Sequence, residues 1–236
     1  MRYEALYYSH FDLIYTLSEQ DRYGLHIFSP ELGIEVIPAA VDVPQEVMTN
    51  RYDSGKRILF VGSFFHPPNK DAVHFFLLNI FPLVLKHLPD TEFFVAGKGA
   101  QDCFKQYEST QVRLLGFVDD LHELYKACAV VVIPLRFGGG VKIKTIEAMA
   151  NGCSIVSTSI GVEGTGALDQ QHALIADAPE EFADKLIRLL VDSSFRDFLG
   201  KNAWELAKER FSWESRSQKL EFLFERLATQ FKRQYD

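Results

Sequence analysis

The sequence predicts an α/β protein, a doubly wound parallel sheet closed by long C-terminal helices. From Arg57 onward, short apolar runs rich in Val, Ile and Phe alternate with amphipathic helical stretches. Runs that are continuously apolar, rather than alternating, suit parallel strands covered on both faces. Regular strand–helix alternation then requires right-handed crossovers and helices on both sides of the sheet. A chain of 236 residues, 47% hydrophobic and 24% charged, can bury such a sheet.

Residues 1–47 read as a fragment with too few apolar residues for its own core. It comprises a helix end, a strand at Phe11–Leu17, a short helix at Ser18–Tyr23 and a strand at Ile34–Pro38. Ser18 followed three residues later by Asp21 marks the helix start. Residues 48–56 read as a polar linker. Residues 57–236 then hold strands at Ile58–Gly62, Glu92–Gly97, Val112–Gly116, Val130–Pro134, Ser154–Thr158 and Ala173–Asp177. Between them lie helical patterns at Asn69–Leu88, Asp102–Tyr107, Asp119–Ala127, Lys142–Asn151 and Pro179–Val191. Helices at Ser194–Arg210 and Ser212–Phe231 complete the chain. The last carries an apolar stripe at Leu220, Leu223, Phe224, Leu227 and Phe231, spaced for packing.

Several function classes are excluded. A net charge of −7, with no basic stripe interleaved with aromatics, argues against nucleic acid as a partner. Cys103, Cys128 and Cys153 form no CxxC pair, so a disulfide or zinc framework is not expected and a reducing cytoplasm fits. The start, MRYEALYYSHFDL, lacks the apolar core of a signal peptide, and no apolar run approaches the ~20 residues of a bilayer span. The histidines show no metal-ligand spacing, and neither GxSxG nor GxxxxGK[ST] occurs. After Val61-Gly62 the chain reads SFFHPPN, not GxGxxG, so a dehydrogenase lacks its fingerprint. No Asp-x-Asp occurs, which removes a common way of holding a divalent cation on a sugar-nucleotide diphosphate.

In an open α/β sheet ligands bind beyond the carboxyl ends of the strands. The segments Gly62–His66, Gly97–Gly99, Gly116–Asp119, Arg136–Gly140 and Ser159–Gly166 fall there. The richest stretch is IPLRFGGGVKIKTIEAMANGCSIVST. Gly138, Gly139 and Gly140 allow backbone and ligand to approach closely, and the following helix N-terminus presents amides and partial positive charge to a phosphate. Lys142 and Lys144 add full charges. In the first turn they oppose the helix dipole, a penalty a bound anion would offset. Glu147 is unsuited to phosphate but suits the hydroxyls of a ribose or hexose. The plainer reading is a surface glutamate paired with Lys144 at i−3, with the lysines on a solvated face and the glycines a flexible turn. His66 reads equally as a phosphate contact or a loop residue. Together these residues describe a pocket for a sugar nucleotide.

The stretch from Arg57 to Phe231 resembles the C-terminal, donor-binding domain of GT-B glycosyltransferases, most closely glycosyltransferase family 4. The resemblance rests on FVGSFFHPPNKDAV, the Gly-Phe-Val turn and the EAMANG segment before an apolar strand. Residues 11–38 resemble the end of that family's N-terminal domain and its hinge. The resemblance implies two Rossmann-like domains facing across a cleft, with the N-terminal acceptor domain represented here only by its tail. It implies a retaining, metal-independent transfer from a UDP- or GDP-linked sugar to a glycan or lipid-linked acceptor in surface polysaccharide assembly. The setting it implies is the cytoplasm, with peripheral contact at the inner membrane face left open, as is self-association through the last helix. By position, Glu147 would bind ribose hydroxyls. Lys144, with Lys142 and Arg136, would face the diphosphate and stabilise its departure. Phe117 and Val118 would lie against the base, and Gly62, Ser63 and the amides near Gly140 would reach phosphate or sugar oxygens. Two positions depart from the pattern: Gly139 stands where many relatives carry the first glutamate of EX7E, and Ser63 where an arginine is usual. The alternatives are a non-catalytic nucleotide-sugar-binding or scaffold subunit and a GT-B-like sugar-nucleotide epimerase.

Overall fold

The computed structural model describes residues 7–8, 10–47 and 56–235, with side chains described through residue 229. The expected linker, Lys56 apart, lies outside the described residues, as does the side chain of Phe231. The first described unit is a parallel pair, β1 (Ile14–Thr16) and β2 (Ile34–Val36), connected by helix α1 (Glu19–Phe28). Ser18 caps α1 as its sequence suggests, its hydroxyl accepting from the Asp21 amide at 3.1 Å and donating to the Asp21 carboxylate at 2.7 Å. The helix runs five residues past the expected end at Tyr23. Gly24 stays within it, and the stop comes at Ser29, ahead of Pro30, where the helical conformation is disfavoured.

The main body follows: β3 (Arg57–Val61), α2 (Pro67–Phe75), a π turn (Phe76–Ile80), α3 (Phe81–His87), β4 (Glu92–Ala96), α4 (Ala100–Phe104) with a 3-10 turn (Lys105–Tyr107), β5 (Val112–Gly116), α5 (Leu121–Ala127), β6 (Val130–Ile133), α6 (Ile143–Ala150), β7 (Ser154–Ser157) and β8 (Leu174–Ile175). All six strands pair in parallel, in the order β5-β4-β3-β6-β7-β8. Chain direction across the sheet therefore reverses between β3 and β6, and the crevice at that switch is where such sheets bind ligands. β6 and β7 are buried along their whole length, as continuous apolar runs require. The helix expected at Asn69–Leu88 is interrupted by the π turn. Pro82 cannot donate to the carbonyl four residues back, and the widened turn just before it absorbs that defect. Phe76, at the start of this turn, packs against Phe81, Phe93 and Phe182 at ring separations of 5.7, 4.4 and 6.4 Å.

Three helices close the chain, α7 (Pro179–Val191), α8 (Ser193–Phe211) and α9 (Trp213–Tyr235). α8 lies close against the end of α6 because Gly152 and Gly200 lack side chains; a Cβ on Gly200 would sit 2.3 Å from the Gly152 carbonyl oxygen. The chain crosses between the two units twice, and the crossings are joined: the Val41 amide donates to the Phe211 carbonyl at 2.8 Å, and Trp204 Nε1 to the Pro44 carbonyl at 3.1 Å. α9 then returns to the N-terminal unit, where Arg226 pairs with Glu35 on β2 at 2.6 Å. Of its expected stripe, Leu223 is buried, Leu220 and Leu227 are half-buried, and Phe224 is exposed. Among the described residues no helix is long and apolar enough to cross a membrane.

Candidate functional site

At the switch point the loops after β3, β4 and β5 are drawn together by backbone contacts. Gly97 donates to the Gly116 carbonyl at 2.6 Å and adopts φ +138°, and a Cβ there would lie 1.9 Å from the Gly62 carbonyl oxygen. Only glycine permits that approach. Phe117 projects from the next turn, 61% exposed, with Lys98 Nζ 4.8 Å from its ring centre, while Val118 packs against the core. Ser63 is held through its backbone, its carbonyl accepting from Asn69 Nδ2 at 2.8 Å. His66 is the residue before α2, and Pro67 and Pro68 follow it, so this helix start lacks two of the amides an anion would use.

The glycine loop after β6 is ordered by charge. Lys142 is not on a solvated face and does not project into the crevice as expected. It is buried, and its ammonium donates to the Gly138 and Gly140 carbonyls at 3.0 and 2.7 Å and pairs with Glu163 at 3.1 Å. The misplaced-charge argument from the helix dipole is thereby answered within the protein: Lys142 precedes α6, and its cation is spent on loop carbonyls. Gly138 and Gly140 have φ of +126° and +74°, whereas Gly139 has neither a positive φ nor any neighbour within 4 Å of an added Cβ. Two of the three glycines are thus demanded by backbone conformation. Arg136 also differs from expectation. Its guanidinium makes a two-pronged pair with Asp71 on α2, at 2.9 and 2.5 Å, and lies over the Phe75 ring.

Lys144 lies at the switch itself. Its ammonium bonds to Asn69 Oδ1 and lies 4.6 Å from the Phe60 ring centre. Gly62 makes this possible, since a Cβ there would stand 2.9 Å from Lys144 Nζ and 2.8 Å from Asn69 Nδ2. Burial, with a smaller contribution from the Lys142 charge, lowers the Lys144 pKa to about 8 against the attraction of Glu147. One turn on, Glu147 is half-buried; its carbonyl accepts from Asn151 Nδ2 at 2.8 Å, while among the described residues its carboxylate makes no hydrogen bond or ion pair, so the surface pairing with Lys144 is not formed. Burial raises its pKa, and the Lys144 charge opposes that. Glu147 lines a cavity of about 330 Å³ with Leu121, Tyr125, Ile143, Asn151 and Trp213. A larger cavity, about 480 Å³, adjoins it, sharing Val41, Asp42 and Trp213 and running on to Gln218.

Asn69, Glu163 and Tyr125 are the residues sequence reasoning passed over. Glu163 lies in a loop it had placed at the carboxyl edge; Asn69 and Tyr125 carry no local signal, their importance arising from contacts far along the chain. Among the described residues no cluster of three or more His, Cys, Asp or Glu is placed to hold a metal ion. If Lys142 orders the glycine loop, Lys142→Met will lose hydrogen bonds made by a charged, buried donor. The expected cost is about 2–3 kcal/mol of stability in urea unfolding, and an unchanged midpoint would refute the assignment.

A family model described as glycosyl transferases group 1 matches residues 55–192. An uncharacterized 44.6 kDa protein in the cps region of Klebsiella pneumoniae is 29% identical over 185 residues, covering 74% of this chain and 48% of that protein. Phosphatidyl-myo-inositol mannosyltransferase of Mycobacterium tuberculosis is 27% identical over 207 residues, covering 81% and 54% respectively. The chain thus spans about half the length of these relatives. In structure it resembles Staphylococcus aureus TarM, solved with fondaparinux, α-GlcNAc-glycerol and UDP, at a TM-score of 0.79 and 18% identity over 94% of this chain and 46% of that one. That likeness establishes the fold as GT-B, and with the family match over more than half its length, the chain belongs to the group 1 glycosyltransferases.

Proposed function

We propose that this chain is the donor-binding part of a retaining glycosyltransferase that takes a UDP- or GDP-linked sugar without a metal ion. The observation that carries the reading is the spacing on α6: a half-buried ammonium at Lys144 beside the switch point, and one turn later Glu147, which lines a cavity and whose carboxylate makes no hydrogen bond among the described residues. A diphosphate against Lys144 leaves a nucleoside within reach of Glu147, which would accept from two ribose hydroxyls. Lys144 would stabilise the charge that develops on the departing diphosphate, an electrostatic role that takes the place of a cation. Lys142 and Arg136 would act through the loop they hold, presenting the amides near Gly140 to phosphate or sugar oxygens. Phe117 and Val118 would border the base, and Gly62 and Ser63 the phosphates.

The retaining outcome and the acceptor class, a glycan or lipid-linked sugar, follow the family, and the named mannosyltransferase relative supports a lipid-bearing acceptor. A cytoplasmic setting at the inner face of a membrane would suit such an acceptor. The acceptor would be held by an N-terminal domain facing this one across the cleft, since the described residues before Pro38 supply only β1, α1 and β2. The exposed part of the α9 stripe would favour self-association. A non-catalytic nucleotide-sugar-binding subunit is the second reading, favoured by Gly139 where a donor-contacting glutamate is common in relatives.

Calorimetry with UDP and GDP tests the first reading. One of them should bind equally well with and without EDTA, and Glu147→Gln should weaken it about 10-fold or more, because hydrogen bonds to a charged acceptor are lost. Strict dependence on magnesium, or an unchanged affinity in the folded variant, would refute it. Lys144 adds a pH test. A diphosphate favours the ammonium form, so affinity should be highest below about 8 and fall as pH rises through that value, with proton uptake on binding around the midpoint. Lys144→Met should abolish both the fall and the uptake; a profile that keeps them would assign the titration to another group.

A further inference from the structure

Asn69 is a buried polar side chain whose two ends both reach outside its own helix. It lies in the first turn of α2, three residues past the cap position at His66, so it does not cap that helix. Its Nδ2 donates to the Ser63 carbonyl at 2.8 Å, and its Oδ1 accepts from the Lys144 ammonium. Neither partner can exchange roles, since a carbonyl only accepts and an ammonium only donates. The amide is therefore held in one orientation, with its oxygen on the lysine. One bond fixes Asn69 to the loop after β3, and the other draws the first turn of α6 to the same place. The room for both tips comes from the missing side chain of Gly62.

The surroundings of the ammonium give this bond its weight. Glu147, one turn on, and Lys142, ahead of the helix, are the charges that act on it, and from β3 it meets the uncharged Phe60 ring. On α2, Asp71 is paired with Arg136, and His66 and Lys70 are exposed. A hydrogen bond to the charged form favours that form, and Asn69 supplies one without adding a charge. We propose that Asn69 is a positioning residue of the donor site: fixed through the Ser63 carbonyl, it holds the Lys144 ammonium as a cation against the loop after β3, where a diphosphate would lie. This rests on the nucleotide-sugar reading above and deepens it by naming the group that aims the cation. Asparagine suits the task better than an acid. An aspartate would neutralise the charge offered to the phosphates and would have no proton for the Ser63 carbonyl.

The test titrates Lys144 directly, by NMR of its Hε and Nζ resonances in protein carrying isotope-labelled lysine, with Lys144→Met identifying the signal. Asn69→Leu is similar in size and removes both bonds. It should lower the Lys144 pKa from its value of about 8 by about one unit or more, the scale of one hydrogen bond to a charged group. UDP, or GDP if that is the tighter ligand, should then bind the variant about fivefold or more weakly at about pH 8, and the gap should narrow toward about pH 6, where both proteins carry the ammonium. An unchanged Lys144 pKa in the folded variant, or a loss of affinity that is the same at every pH, would overturn the proposal, because a packing role moves neither. Should Asn69→Leu fail to fold, Asn69→Asp decides. Its carboxylate keeps an oxygen on the ammonium, so the Lys144 pKa should rise above that of wild type while UDP binds more weakly; a pKa that does not rise would overturn the proposal. These results concern Asn69 and leave nucleotide binding intact. A wild type that binds neither UDP nor GDP would instead overturn the functional reading, and the role of Asn69 in a donor site with it.

Discussion

The arrangement depends on one close approach at the end of β3. Gly62 carries no side chain, and the tips of Lys144 and Asn69 occupy the space a Cβ would need. β3 and β6 are adjacent and parallel, so α6 begins directly over this point and delivers Lys144 to it. A lysine buried there without a carboxylate in contact is costly, since burial disfavours the charged form. The protein offsets part of the cost with the Asn69 carbonyl oxygen, the face of Phe60 and the more distant charge of Glu147. The remainder appears as a lowered pKa. A bound anion would restore the charged form, so the penalty carried by the free protein is also the source of its preference for a diphosphate.

Two lysines two residues apart have acquired opposite tasks. Lys142, just ahead of α6, turns back to gather the carbonyls of Gly138 and Gly140 and to meet Glu163. Those bonds tie together the two glycines of the loop that have positive φ. Lys144, inside the first turn, points toward β3 instead. Arg136 plays a part like that of Lys142 on the other side of the loop, clamped to Asp71 on α2. Lys142 and Arg136 are thus committed to holding the loop, while Lys144 stands beside β3 and Lys98 over the Phe117 ring.

Much of the fold was legible because it is written locally. Most strands of the main sheet are continuous apolar runs, β5 with its exposed Arg113 being an exception, and α7 begins at Pro179 and ends at Val191 as its periodicity indicates. The π turn was not legible, because a single Pro82 in a good helical pattern can produce a kink, a break or a bulge, and packing decides which. At the site, Glu147 and Lys144 were found from their position on a helix that follows a glycine turn. The destination of Lys142 was not: nothing in VKIK says that one ammonium folds back and the other reaches across 75 residues to Asn69. Tyr125 was invisible for the same reason, since a tyrosine on an amphipathic helix usually signals packing alone, and its place in the cavity wall exists only once α5 and α6 are side by side.

The central claim is that one edge of this sheet, between the loops after β3 and β6, holds a nucleoside diphosphate along α6. Amide chemical-shift mapping during a UDP or GDP titration tests it most directly. Shifts should concentrate at residues 62–63, 116–118 and 138–147, with the far helices unchanged. Shifts gathered instead around the part of the larger cavity lined by Gln45, Lys208 and Gln218, with the glycine loop and α6 silent, would contradict it.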